Sequence, residues 1–259
     1  MQVPIYQIDA FTSKLFTGNP AAICPLDAWL PDETMQSIAA ENNLSETAFF
    51  VRTGDRFHLR WFTPGCEVDL CGHATLAAAY VLFEELQLGG DRVHFDTKSG
   101  ELIVHREGDL FTLNFPSRPP EPTSVVPSLV PALGREPVEI LAARDYLVRY
   151  ASEKEVAELS PDMNALLHID RFAVIVTAPG TNCDFVSRFF APAKGVAEDP
   201  VTGSAHSTLI PYWGDRLGKS KLHARQISRR GGELFCEWRG DRVEISGRGA
   251  LFLRGTIYI

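Results

Sequence analysis

The sequence is short of cysteine, of clustered basic charge and of long apolar runs, and each shortage excludes something. Five cysteines (Cys24, Cys66, Cys71, Cys183 and Cys236) are spread irregularly over 259 residues. An odd, unevenly spaced set argues against a disulfide framework. Cys66 and Cys71 are the closest pair, with no CxxC or HxxxH companion, so no metal site is expected and the thiols read as free. Lysine and arginine number 25 against 33 aspartates and glutamates, a net charge of −8. No basic stripe is present to hold a phosphate backbone, so nucleic acid is excluded as a partner. The longest apolar stretch, Ala74 to Phe83, falls well short of the roughly 20 residues that span a bilayer. The first residues lack the basic-then-apolar pattern of a secretory signal. The expectation is a soluble cytoplasmic protein without a membrane partner.

What is there is ordinary globular composition, 45% hydrophobic and 22% charged, in a chain long enough to bury a substantial core. The sequence also repeats itself. Arg60-Trp-Phe-Thr-Pro64 matches Arg188-Phe-Phe-Ala-Pro192. Gly72-His-Ala-Thr75 matches Gly203-Ser-Ala-His206, and Ser99-Gly-Glu-Leu102 matches Gly231-Gly-Glu-Leu234. Gly108-Asp109 matches Gly240-Asp241. Matches in one order, offset by about half the chain, are too far apart for a solenoid. They imply two copies of one α+β unit, assigned here to residues 1–115 and 116–259, with the proline-rich stretch Pro116 to Pro127 as linker.

Phe57 to Phe62 alternates with period two and predicts a strand. Val93 to Asp96, Glu101 to His105, Leu110 to Asn114, Arg171 to Thr177 and Cys183 to Phe190 read as further strands. Gly72 to Leu86, rich in alanine and leucine, predicts a helix. Ser204 to Leu217 predicts a second helix, which Pro211 should kink or split. Asp32 to Asn42 reads as a surface helix capped by Asp32. The expected architecture is two similar halves, each a curved, mostly antiparallel sheet wrapped around a central apolar helix.

The two matched glycine segments open the central helices. A helix start offers free N–H groups and the positive end of the macrodipole, which suits an anion. Two such starts, at Gly72-His73 and Gly203-Ser204, would bind a carboxylate and stabilise charge developing beside it. Cys71, His73 and Asp199 flank them. Glu46, ahead of the apolar run Thr47 to Val51, reads either as a solvated strand-end carboxylate or as a desolvated acid/base. Its place in the second copy reads Arg144-Asp-Tyr146, without a glutamate. The other histidines read as strand or surface positions, with His206, one turn beyond Ser204, nearest the candidate site.

These residues are similar to the motifs of the PhzF-like (phenazine-biosynthesis isomerase) family, which shares its fold with diaminopimelate epimerase. The resemblance runs through Tyr6-Gln-Ile-Asp-Ala-Phe11, Phe16-Thr-Gly-Asn-Pro-Ala-Ala22, Asn43-Leu-Ser-Glu46 and Phe62-Thr-Pro64. It continues in Asp69-Leu-Cys-Gly-His-Ala-Thr75, Glu198-Asp-Pro-Val-Thr-Gly-Ser-Ala205 and Gln226-Ile-Ser-Arg-Arg-Gly-Gly232. It implies a cofactor-independent, metal-free isomerase that acts as a homodimer. In it Glu46 shuttles a proton, His73, Asp199 and Ser204 surround the substrate, and the Gly72-His73 and Gly203-Ser204 backbone cradles its carboxylate. Cys71 matches the first of the two thiols of diaminopimelate epimerase, and no second thiol lies between Cys183 and Cys236, so a two-thiol racemase is not available. Three readings stay open at this point. One is an isomerase that moves a proton between carbons. Another is an epimerase of a small amino or hydroxy acid that uses Glu46 with Cys71 or Asp199. The last is a non-catalytic binder of small carboxylates or of a protein.

Overall fold

A computed structural model describes all residues from Met1 to Ile259. The chain divides into two compact units. One comprises Met1–Asn114 with Ser246–Ile259, the other Phe115–Ile245. The last 14 residues, assigned to the second half from the repeat, do not stay with it. They return to the first unit as a closing strand, Gly249–Tyr258, antiparallel to the first strand of the chain. Pairing between the two ends of a chain leaves no local trace in sequence.

In the first unit, β1 (Gln2–Ala10) pairs antiparallel with β2 (Asn19–Leu26). The chain then forms α1 (Asp32–Asn42) and returns as β3 (Glu46–Thr53), parallel to β2. A helix between parallel strands is the connection such a pair requires. β4 (Arg56–Phe62) runs antiparallel to β3, and the two-residue strand β5 (Glu67–Val68) follows it. After α2 (Gly72–Tyr80), β6 (Arg92–Thr97) lies parallel to β4. β7 (Gly100–Glu107) and β8 (Leu110–Pro116) continue antiparallel. Phe57, Leu59 and Trp61 of β4 face the core, as their alternation predicts. Around α2 every residue from Ala74 to Phe83 is buried except Tyr80, which is half-buried. A helix apolar on all sides belongs in a core. Its last turn, Val81–Glu85, widens to π geometry.

The second unit begins with β9 (Glu121–Pro122), α3 (Leu129–Leu133) and β10 (Glu139–Ala142). The expected linker is therefore part of this unit, since β9 pairs with β10. β11 (Tyr146–Arg149) pairs antiparallel with β10. The short helices α4 (Glu153–Glu158) and α5 (Met163–Leu166) lead to β12 (Val174–Pro179), parallel to β11. β13 (Phe185–Phe190) runs antiparallel to β12, and after α6 (Gly203–Leu217) β14 (Lys221–Gln226) lies parallel to β13. β15 (Gly232–Arg239) is antiparallel to β14, and β16 (Arg242–Gly247) follows. The order of pairings (antiparallel, parallel, antiparallel, parallel, antiparallel) is the same in both units. The matched glycines Gly108 and Gly240 both sit in tight turns at positive φ, 60° and 73°, where a side chain would be strained.

Three local expectations are corrected. The N-cap of α1 is Pro31, and Asp32 makes no cap bond. Its carboxylate instead accepts from Arg60 NH1 at 2.9 Å, a charge-assisted bond that outcompetes a cap. α6 is neither split nor interrupted at Pro211. Proline at 211 removes the N–H that would have bonded to the Ser207 carbonyl one turn back. That carbonyl takes the main-chain N–H of Arg118 instead, at 2.8 Å, so no buried acceptor is orphaned. The third correction concerns the counterpart of Glu46. With Arg60 aligned to Arg188, the register pairs Phe49 with Arg60 and Val176 with Arg188. That places Ala173, not Arg144 to Tyr146, where the second unit would carry it.

Candidate active site

Glu46 is delivered by the end of α1. Asn43 takes the left-handed conformation there (φ 49°) and caps the helix, a conformation asparagine tolerates well. Leu44 packs onto the core beneath α1. Asn42 Nδ2 donates to Thr47 Oγ1 at 3.1 Å and ties the helix end to β3. Glu46 is the first residue of β3, and its side chain is 18% exposed.

His73, buried in the first turn of α2, places Nε2 3.2 Å from Glu46 Oε2. Its other nitrogen, Nδ1, accepts from the amide of the fully buried Asn19 at 3.3 Å. An amide NH2 can only donate, so Nδ1 is the unprotonated nitrogen and the proton sits on Nε2, on the Glu46 side. Burial pushes the imidazole down to about 3, which keeps it neutral in ordinary buffers. The contact is a close approach between carboxylate and neutral ring, off the line of an ideal hydrogen bond. Cys71, the residue before α2, places Sγ 3.5 Å from His73 Nδ1. Glu46, Cys71 and His73 thus bring three metal-competent donors within 4.8 Å of one another. Yet the thiol approaches one ring nitrogen and the carboxylate the other. The ring thus stands between the thiol and the carboxylate.

In the second unit the corresponding helix start is held differently. Asp199 N–H donates to Phe189 O at 3.0 Å. Thr202, the residue before α6, donates from Oγ1 to Asp199 Oδ2 and from its N–H to Gln226 Oε1 at 2.9 Å. Gln226 Nε2 returns to the Asp199 carbonyl at 2.8 Å. Ser204 Oγ accepts from Arg144 NH2 at 3.2 Å. From Val201 to Gly214 every residue is buried except Ser204, so this hydroxyl is the one side chain the helix start presents. His206 does not join it. Its ring is fully buried against Phe185, and Nδ1 lies 2.8 Å from the Thr202 carbonyl.

Each helix start is preceded by an arginine–glutamate clamp. Arg60 meets both oxygens of Glu67, at 2.7 and 2.9 Å. Arg188 meets both oxygens of Glu198, at 2.7 and 3.0 Å. Such two-point bonds fix orientation as well as distance. The Arg60 bond, aided by Lys98, holds the Glu67 carboxyl down at about 2. Asn19, Gln226 and Arg144 are neighbours of the candidate residues to which residue-type reasoning gave no role. Their importance lies in contacts across strands, which spacing does not carry.

The sequence profile of the phenazine biosynthesis-like (PhzC-PhzF) proteins matches residues 8–255. The chain belongs to the phenazine biosynthesis-like family. An uncharacterised isomerase of Pseudomonas aeruginosa is 52% identical over 259 residues, covering 100% of both chains. A solved structure from the same family, from Enterococcus faecalis, superposes with a TM-score of 0.98 at 48% identity, covering 100% of both chains. A hydroxyproline epimerase of Agrobacterium vitis, 11% identical, shares the fold at a TM-score of 0.62, covering 99% of this chain and 92% of that one. The α+β architecture is therefore the diaminopimelate epimerase-like fold expected from the motifs, and this phenazine biosynthesis-like protein is an enzyme of the isomerase class. None of its helices is long and apolar enough to cross a membrane.

Proposed function

We propose that the protein is a cofactor-independent isomerase that transfers a proton on a small carboxylate substrate, with Glu46 as general acid/base. The observation that carries this reading is the pairing of Glu46 with a neutral imidazole, His73, whose proton lies on the Glu46 side. A neutral ring beside the carboxylate places no positive charge against it. It leaves a base able to take a proton alpha or vinylogous to the substrate carboxylate and return it at another carbon. Positioned general bases contribute about 10²- to 10⁴-fold in rate. The starts of α2 (Gly72-His73) and α6 (Gly203-Ser204) are the carboxylate-binding elements in this reading, and their N–H groups stabilise the enolate-like charge. Asp199 and Ser204 orient the remaining polar groups of the substrate. The recurrence of one pairing order in both units supports an internal duplication, after which only the first copy carries the acid/base. A cytoplasmic homodimer is the form this reading assigns to the protein.

A second reading, epimerisation, draws on Cys71, whose thiol lies 3.5 Å from His73 Nδ1. A proton leaving Sγ for Nδ1 while Nε2 gives its own to Glu46 would link two acid/base groups through one ring. Incubation in D₂O with small amino and hydroxy carboxylates, wild type beside Glu46→Gln, tests both. Deuterium entering a carbon in wild type alone supports Glu46 chemistry, and the labelled position separates a shifted double bond from an inverted centre. Exchange undiminished in Glu46→Gln would remove Glu46 from the mechanism.

A further inference from the structure

Arg144 stands beside Ser204 at the start of α6. Its guanidinium forks onto Asp145 at 2.9–3.2 Å, stacks over Phe172 at 4.3 Å and donates to Ser204 Oγ. Lys194 Nζ lies 5.2 Å from the same Phe172 ring. Arg118 reaches the first turns of α6 through its main chain. Its main chain is anchored on the Ser207 carbonyl that Pro211 leaves vacant. Its half-buried guanidinium makes no ion pair and no hydrogen bond. The charges it senses are Arg144 and Asp145, and burial together with Arg144 holds its pKa below the usual arginine value.

Three cations thus stand about the start of α6 with two carboxylates, Asp145, which is 1% exposed and already occupied by Arg144, and Asp199, which accepts from Thr202. This positive excess lies in a chain whose net charge is −8. A half-buried guanidinium without a counter-ion is unfavourable unless an anion completes it. The open donors have a definite shape. The Nε and NH2 edge of Arg144 is committed to Asp145 and Ser204, whereas the whole fork of Arg118 is free. A single open fork matches the two coplanar oxygens of a carboxylate.

We propose that Arg118 and Arg144 form a subsite for a second carboxylate of the substrate, next to Ser204, so that the enzyme takes a dicarboxylate. This rests on the reading that the first carboxylate is bound at the helix starts. Arg118 and Arg144 are then specificity-determining groups, separate from the proton transfer at Glu46.

Calorimetric titration tests it. The probes are straight-chain dicarboxylates from malonate to adipate, the monocarboxylates of matched length, and sulfate. The proteins are wild type, Glu46→Gln, Arg118→Met and Arg118→Lys. At least one diacid binds wild type about tenfold more tightly than its monoacid partner, as a charge-assisted pair predicts. That preference persists in Glu46→Gln, collapses in Arg118→Met and survives in part in Arg118→Lys. Because the main-chain N–H of Arg118 makes the anchoring bond, both variants retain it, and an unchanged melting temperature certifies the fold. Equal binding of diacids and monoacids, or a preference that survives Arg118→Met, overturns the proposal. So does sulfate binding as tightly as the best diacid, which would mean an unselective anion patch. Absence of deuterium exchange at any carbon, with the diacid preference intact, would fault the isomerase reading and leave the subsite standing.

Discussion

Replacing Arg188 by methionine should loosen the segment that carries Asp199 and cost the protein several kcal/mol. Arg188 Nε and NH2 meet Glu198 at 2.7 and 3.0 Å, and NH1 donates to the carbonyls of Val156 and Leu159 at 3.1 and 2.7 Å. The two side chains are only 12% and 22% exposed. Removing one member of a buried ion pair costs about 3–5 kcal/mol, because the survivor keeps its desolvation penalty without its partner. Partial exposure of Glu198 reduces this, so we expect about 2–4 kcal/mol for Arg188→Met. In a chain of this size that lowers the melting temperature by roughly 4–16 °C. The double variant Arg188→Met/Glu198→Met removes the stranded carboxylate as well, so its loss should fall short of the sum of the two single losses by at least ~1 kcal/mol. Arg188→Lys should fail to rescue, since a point charge cannot span both oxygens and both carbonyls. Urea and thermal unfolding followed by circular dichroism measure wild type, Arg188→Met, Glu198→Met, the double variant and Arg188→Lys. A loss below ~1 kcal/mol in Arg188→Met, or strict additivity in the double variant, would refute the reasoning.

Other expectations follow from the same structure. Glu67 has its folded pKa held down at about 2, against 4.5 unperturbed. Its contribution is therefore present above pH 4.5 and is lost as pH falls from there toward 2, amounting to at most roughly 3 kcal/mol. Glu67→Gln should flatten that acid limb in unfolding measured at stepped pH. His73, lowered to about 3 by burial, should show no titration between pH 5 and 8 and should carry its proton on Nε2 in nitrogen-15 NMR. A ring titrating near 6.5 would contradict the assigned burial. Gly214 of α6 lies against Trp238, where an added Cβ would come within 2.7 Å of the indole and 3.0 Å of the Lys219 carbonyl. Gly214→Ala should therefore destabilise by about 1–3 kcal/mol despite alanine's better helix propensity, and an unchanged urea midpoint would show that the indole gives way.

Much of this was readable from the residues alone, for reasons that differ by element. β4 announced itself because one of its faces is buried, which forces period-two alternation. α2 did so because it is wrapped on all sides and so reads as an unbroken apolar run. The candidates Glu46, His73 and Cys71 stood out because the turn at Asn43 and the start of α2 are short-range features, although the contact between them is a tertiary one. What escaped is governed by register or by distant partners. Asp32 is drawn from its cap by Arg60, 28 positions away. Strand Gly249–Tyr258 crosses the whole chain to pair with β1. The counterpart of Glu46 becomes Ala173 only once the strand pairs are counted, and Asn19 and Gln226 acquire roles only from what lies across from them.

The bond between Arg118 and the Ser207 carbonyl has an implication for anyone who would stabilise this protein. Pro211 looks like the first residue to replace, a helix breaker in the middle of a buried helix, and alanine there would gain propensity on every scale. Alanine would also bring back an N–H that reclaims the carbonyl, and the backbone at Arg118 would lose its mooring. The blemish in the helix is an attachment point, and smoothing it away should yield a sturdier protein that has misplaced one of its arginines.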